Sequence, residues 1–325
     1  MVFTLTYLTR FATTVPTPMS GLALGLASMG WCLSILFPSL TYTKPLGALI
    51  AAVILLLLIL KFIQQPTLLK ADLSHPVVGS VLPTSAMTLM VIAHNVADYS
   101  CNLATIIWLL AIGLHFLLLT SFIYFRSRDF SLDHIVPSWF IPPVGFVVAD
   151  VTFKGIPALQ PLAIGLWYLG VSCYLLLLPI MIYRLCFGAP LSTQTQPTIA
   201  VMAAPASLCL AGYLSITSLP NSVLVLGLLT IAVMMTIFVY LAFIQLLRLP
   251  FSPAFSAYTF PLVIGVTALN KVKNWSGFSE FSSGWHTLLH GLFWIELGIA
   301  SFIVTLVCIH YVKFFIKINA VDSEH

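Results

Sequence analysis

Five prolines, Pro18, Pro83, Pro143, Pro205 and Pro261, lie in apolar surroundings beside small or hydroxyl residues. "PMSGLALG" at 18–25 and "PASLCLAG" at 205–212 both carry a serine two residues after the proline, Ser20 and Ser207. Both also carry a glycine seven residues after it, Gly25 and Gly212. "PTSAMT" at 83–88 repeats the serine as Ser85 beside Thr84, and Thr259 stands two residues before Pro261. A proline inside a helix removes a hydrogen bond to the carbonyl four residues back and bends the chain. Hydroxyls and freed carbonyls in an apolar medium are dipoles without net charge. They can solvate water or a small ion but make no bonds. One carboxylate, Glu296, also lies within an apolar run, where such groups are rare and usually functional. It is a candidate for proton coupling; an acid that is protonated, or paired at a subunit contact, is the alternative.

The remaining titratable residues give less. No nucleophile motif, phosphate loop or dinucleotide fingerprint occurs, so neither an enzyme with catalytic residues nor a bound cofactor is expected. His286 and His290 are spaced as two metal ligands on a helix, but no local carboxylate or cysteine completes a set. They read as an interfacial helix end, and no metal site is expected. His94 and His115 read as satisfied core histidines, and Asp98 and Asp150 as solvated span ends. Of six cysteines only Cys101 looks loop-borne, and their spacing suggests packing and not a disulfide frame.

The elements that must position these residues follow from composition. Of 325 residues, 60% are hydrophobic and 7% charged, with a mean hydropathy of +1.07. A soluble domain carries about 25% charged residues, so this chain cannot cover a water-facing surface. A net charge of +4 with no basic cluster excludes a nucleic-acid partner. Runs such as "LIAAVILLLLIL" at 49–60 lack the alternation of a barrel strand, so the fold is an all-α polytopic membrane protein whose partner is lipid.

Crossing a core of about 30 Å takes roughly 20 helical residues. Ten such spans are predicted in one domain over 1–325, near 15–37, 44–63, 76–97, 102–124, 136–153, 159–186, 198–218, 222–247, 254–270 and 287–315. The fifth and ninth are short and contain proline. With only Arg10 early and no small-residue cleavage site, the first span reads as retained. Nine Lys or Arg flank the connections on the side of the termini, against Lys44, Lys154, Lys271 and Lys273 opposite. That excess places both termini in the cytoplasm.

The spans alternate in character. Residues 16–35 hold nine Gly, Pro, Ser or Thr, whereas residues 45–64 hold two. Small residues suit buried contacts or a wet cavity, and all-round Leu and Ile suit lipid. Odd spans are therefore expected inside and even spans outside. The five prolines all fall on odd spans, separated by 65, 60, 62 and 56 residues, about one helical hairpin each. Five hairpin repeats follow, with the inner helices kinked at proline and bowed around a central pore.

The segments "PTPMSGLALGLA" at 16–27, "HPVVGSVLPTSAM" at 75–87, "APASLCLAGYLSI" at 204–216 and "AYTFP" at 257–261 occur in an order that resembles one family. It comprises the tellurite-resistance protein TehA, the plant guard-cell slow anion channels, and related dicarboxylate and sulfite transporters. The resemblance spans nearly the whole chain. It implies ten helices with quasi-fivefold hairpin symmetry, a homotrimer with one pore per subunit, a prokaryotic plasma (inner) membrane, and a phenylalanine on the ninth helix that plugs the pore. "AYTFP" assigns that part to Phe260. The residues preceding the prolines are Thr17, Leu82, Pro142, Ala204 and Phe260, so Phe260 would be the one aromatic in such a ring.

No Lys or Arg lies within the odd spans. Small anions such as chloride or nitrate would meet hydroxyls, exposed backbone and apolar walls, and selection would follow ease of dehydration. The expected function is an anion channel gated by an aromatic side chain. The alternative is a proton-coupled transporter or exporter of dicarboxylate, sulfite or tellurite with the same fold.

Overall fold

The computed structural model describes residues 11–280 and 282–322, which form helices joined by short irregular connections, with no strand among them. In chain order the helices are α1 Met19–Leu36, α2 Thr43–Gln64, α3 Pro66–Ser74, α4 Val78–Val81, α5 Thr84–Val96 and α6 Cys101–Arg128. They continue with α7 Ile141–Val144, α8 Val147–Val151, α9 Gln160–Phe187, α10 Ala204–Ile216, α11 Ser222–Leu246, α12 Thr259–Lys273 and α13 Ser283–Asp322.

Seven helical stretches among the described residues are long and apolar enough to cross a membrane. The three expected spans outside this set are not single straight helices. The segment 76–97 follows α3 through a bend of 97°. The segment 136–153 is a 3-10 turn at Pro137–Phe140 followed by the short α7 and α8, and 254–270 is a 3-10 turn at Pro253–Tyr258 leading into α12. Prolines at 137, 142, 143 and 253 favour these starts and stops, because a missing N–H cannot extend an existing ladder.

Burial separates two classes of helix. Of the apolar windows, 61% is buried in α1 and 78% in the Gln196–Ile216 stretch that contains α10, against 28–39% in the other five. The buried segments form a closed circuit: α1 packs on α5, α5 on α8, α8 on α10, α10 on α12, and α12 back on α1. Each long exposed helix packs on the buried one before it, α2 on α1, α6 on α5, α9 on α8, α11 on α10 and α13 on α12. Lipid solvates Leu and Ile as well as protein does, so these helices need an apolar surface all round and only a narrow buried stripe. Close approach is helped where α1 meets α2: a Cβ at Gly47 would stand 2.6 Å from the Leu26 carbonyl oxygen.

At one end of the bundle, polar tips on exposed helices hold the starts of the buried segments. Lys61 Nζ on α2 donates to Val15 O at 2.8 Å and to Thr17 Oγ1 at 3.0 Å, and Thr17 donates to Asp72. Arg126 on α6 donates to Ser74 O. Arg184 on α9 donates to Leu132 O at 2.9 Å and Ala189 O at 2.6 Å, and Tyr311 on α13 donates to Pro253 O at 2.7 Å. A 3-10 entry leaves carbonyls without helical partners, and these donors satisfy several of them. Both ends of the described chain lie on this face, with the Phe11 and Phe315 ring centroids 5.3 Å apart.

Candidate functional site

The prolines begin helices here and do not kink continuous ones. Pro18 precedes α1, Pro83 precedes α5, and Pro143, Pro205 and Pro261 sit in the first turns of α7, α10 and α12. The first-turn N–H groups have no partner within the helix, so proline is tolerated there. Preceding turns keep most of the backbone bonded through i→i+3 contacts, as in Met19 N to Pro16 O and Gly21 N to Pro18 O, both 2.9 Å. The expected kink, with bare carbonyls, is thus replaced by a 3-10-to-α joint whose backbone is largely paired.

Inside the circuit of buried helices lie three levels of side chains. Gly21, Thr84, Ile141, Val201 and Ala257 form the first, one residue from each buried segment. Three residues later in each segment stand Leu24, Met87, Val144, Ala204 and Phe260. Four further on stand Ser28, Val91, Val148, Leu208 and Ile264. Steps of three and four are one helical turn, so the same face of every segment lines the axis. The prolines do not share one height: they run from three residues before the first level (Pro18) to four after it (Pro205 and Pro261). Of the residues preceding them, Ala204 and Phe260 line the cavity, whereas Thr17, Leu82 and Pro142 do not.

The first two levels enclose a cavity of about 50 Å³, and the third encloses one of about 10 Å³, room for about one water. Phe260 and Leu208 are the two residues that line both. Phe260 is 8% exposed and is the one aromatic in its level. Trp31 and Thr267 line both the small cavity and a vestibule of about 490 Å³ at the end opposite the chain termini.

Among the hydroxyls singled out in the sequence, few reach this axis. Pro205 and Pro261 line the larger cavity, but Pro18, Pro83 and Pro143 do not. Ser20 donates to Thr17 O at 3.0 Å and accepts from Thr84 at 2.7 Å. Ser85 and Ser207 donate to Leu82 O and Ala203 O, and Thr259 to Ser256 O at 2.8 Å. Within helices such hydroxyls fold back on the preceding turn, which sequence spacing does not reveal. Gly25 lies at a helix contact: a Cβ there would stand 3.3 Å from Phe260 N. The polar residues that do face the axis are Thr84 and Ser256 before Phe260, and Ser28, Thr152 and Thr267 beyond it. The sequence reading missed Ser256, Ser28, Thr152 and Thr267; an i+7 or i+8 search from the glycine and threonine of the first level would have found Ser28.

Glu296 is 2% exposed and turned into the subunit, where its Oε2 has no hydrogen-bond partner. It faces Gly265 on α12, with Thr236 and Tyr240 of α11 beside it. A lipid-facing position for this acid is therefore excluded. Asp150, expected at a solvated end, is fully buried with both oxygens unpartnered. Asp98 is exposed and bound by Lys44 and Lys154. His115 Nε2 lies 2.8 Å from Pro142 O and His94 Nδ1 3.1 Å from Thr152 O. His290 Nε2 accepts from Trp294 at 3.2 Å.

Sequence comparison gives an independent view. Residues 16–311 match the family model for the voltage-dependent anion channel, SLAC1. Two proteins of Methanocaldococcus jannaschii, each named an uncharacterized transporter, are 28% identical to this chain. One matches over 273 residues, 75% of this chain and 77% of its own length. The other matches over 255 residues, 69% and 71%.

Proposed function

Because this chain belongs to the voltage-dependent anion channel (SLAC1) family, we propose that it conducts small inorganic anions through a pore within each subunit, closed by Phe260. The observation that carries this reading is the position of Phe260 and Leu208 as the partition between the two axial cavities. An ion stripped of water loses tens of kcal/mol of Born solvation in an apolar medium, and a 10 Å³ space cannot hold its hydration shell. The pore is closed by occlusion and dewetting, and a rotation of the Phe260 side chain opens it. With no cation on the axis itself, selection among chloride, nitrate and similar anions follows ease of dehydration.

The wider assignment rests on the same reading. Ten crossings as five hairpins fit the circuit of buried helices, with both chain termini in the cytoplasm of a prokaryotic cell and the subunits assembled as a trimer through lipid-facing helices. Planar-bilayer recording of wild type and Phe260→Ala tests the proposal: anion current should be small in the first and large in the second.

A second reading, proton-coupled export by the same fold, is favoured by one observation, the buried and unpartnered Oε2 of Glu296 against α12. The names of the two Methanocaldococcus jannaschii relatives, which say transporter, accord with it. Flux that saturates and is driven by a pH gradient would select this reading over the channel.

A further inference from the structure

Beyond the partition, the axis opens into the 490 Å³ vestibule lined by Asn270 and Lys271 from the last turn of α12, by Asn274 just after it, and by Thr217 and Ser218 after α10. Trp31 and Thr267 join it to the cavity above Phe260. Four lysines lie toward this end, and three are engaged. Lys44 binds the Asp98 carboxylate, and Lys154 stands 3.4 Å from it. Burial alone would raise the Asp98 carboxyl, but the Lys44 hydrogen bond and the two lysine charges outweigh it and hold that group below its ordinary range. Lys273 Nζ lies 4.1 Å from the centroid of the Phe293 ring. Lys271 has no acidic partner among the described residues, and it lines the vestibule.

We propose that this vestibule is an anion-recruiting site, in which Lys271 supplies the fixed positive charge and the Asn270 and Asn274 amides supply N–H donors to a small, singly charged inorganic anion. The site rests on the channel reading and adds to it a charge that the axis itself lacks. An anion held here keeps most of its water, because the space is large and polar on one side. The site therefore raises local concentration without choosing between anions. Lys271 also sits where a cation offsets the carbonyl end of the α12 dipole. That role needs no anion, and the two differ in their response to salt.

The test uses the Phe260→Ala channel as parent, with Lys271→Gln and Lys271→Arg added separately. At low ionic strength, Lys271→Gln should lower single-channel conductance about threefold, the factor for a unit charge about 6 Å from the ion in water-filled space. At about 1 M salt the difference should vanish through screening, and Lys271→Arg should match the parent throughout. Independently of conduction, iodide should quench the Trp31 and Trp275 fluorescence of full-length protein less in Lys271→Gln than in wild type, while neutral acrylamide quenches both alike. Conductance equal to the parent at every salt concentration, or a loss that salt does not abolish, overturns the proposal, as does unchanged iodide quenching. A Phe260→Ala protein without anion current would refute the channel reading instead, and quenching would still decide the vestibule.

Discussion

Glu296 on α13 and Gly265 on α12 meet so closely that a Cβ at position 265 would stand 2.9 Å from the Glu296 Oε2. Gly265 follows Ile264, which lines the axis one turn beyond Phe260. The acid thus sits behind the wall that carries the aromatic partition, and the missing side chain at 265 is what makes room for it. Any group that enlarges this contact must push α12 toward the axis or displace the carboxyl.

Gly265→Ala should therefore destabilise the protein by about 1–3 kcal/mol, the usual range for an overpacked core. Thermal unfolding in detergent would measure it. Glu296→Ala should offset part of the loss when combined with Gly265→Ala, since it vacates the space the new methyl needs. Full additivity of the two losses would mean that the residues do not share that space.

Glu296→Gln keeps the shape and removes the titration. On the channel reading, conductance and its dependence on pH should match wild type. Abolished pH dependence with retained folding would move the assignment to the proton-coupled transporter.

Selectivity should follow dehydration. Nitrate or iodide permeability should at least equal that of chloride in reversal-potential measurements on Phe260→Ala. A strong preference for chloride over nitrate would require a fitted site on the axis, and the level that holds Phe260 provides only apolar side chains: Leu24, Met87, Val144 and Ala204.

Arg184 is 2% exposed and holds the carbonyls of Leu132, Asp133 and Ala189. Arg184→Ala should cost on the order of 3 kcal/mol, because three backbone carbonyls lose a charge-assisted donor at once. Arg184→Lys should recover only part, since an ammonium lacks the planar fork. A melting temperature unchanged by Arg184→Ala would show the clamp to be dispensable.

Much of this architecture was legible because lipid writes plainly on a sequence. The all-round Leu and Ile of α2 can have no other solvent, and the small residues of α1 and α10 mark contacts between backbones. The height of each proline was not legible. Proline records where a helix may start, and tertiary packing decides where that start falls relative to the axis, so Pro18 and Pro261 stand at different levels. Hydroxyl direction was hidden for a similar reason. Ser20, Ser85, Ser207 and Thr259 have backbone carbonyls within reach, and a side chain in an apolar medium takes the nearest acceptor. Lys271 was visible only as a loop charge, because its place in the vestibule depends on where α10 and α12 end together.

The partition itself yields the last prediction. Phe260 and Leu208 both line both cavities, so each contributes to the seal, and they do so unequally because a phenyl ring fills more of the axis than an isobutyl group. Phe260→Ala should raise conductance well above wild type while the protein remains folded, since the ring borders open space on two sides. Phe260→Leu should raise it less. Leu208→Ala alone should give a small rise, because the ring still spans the gap. The double variant should exceed Phe260→Ala, since after the ring is removed Leu208 is the remaining side chain common to both cavities. Single-channel recording with size-exclusion profiles separates the cases. If Phe260→Ala elutes normally yet conducts no more than wild type, Phe260 is not the gate. If Leu208→Ala alone conducts as much as Phe260→Ala, the seal belongs to the leucine.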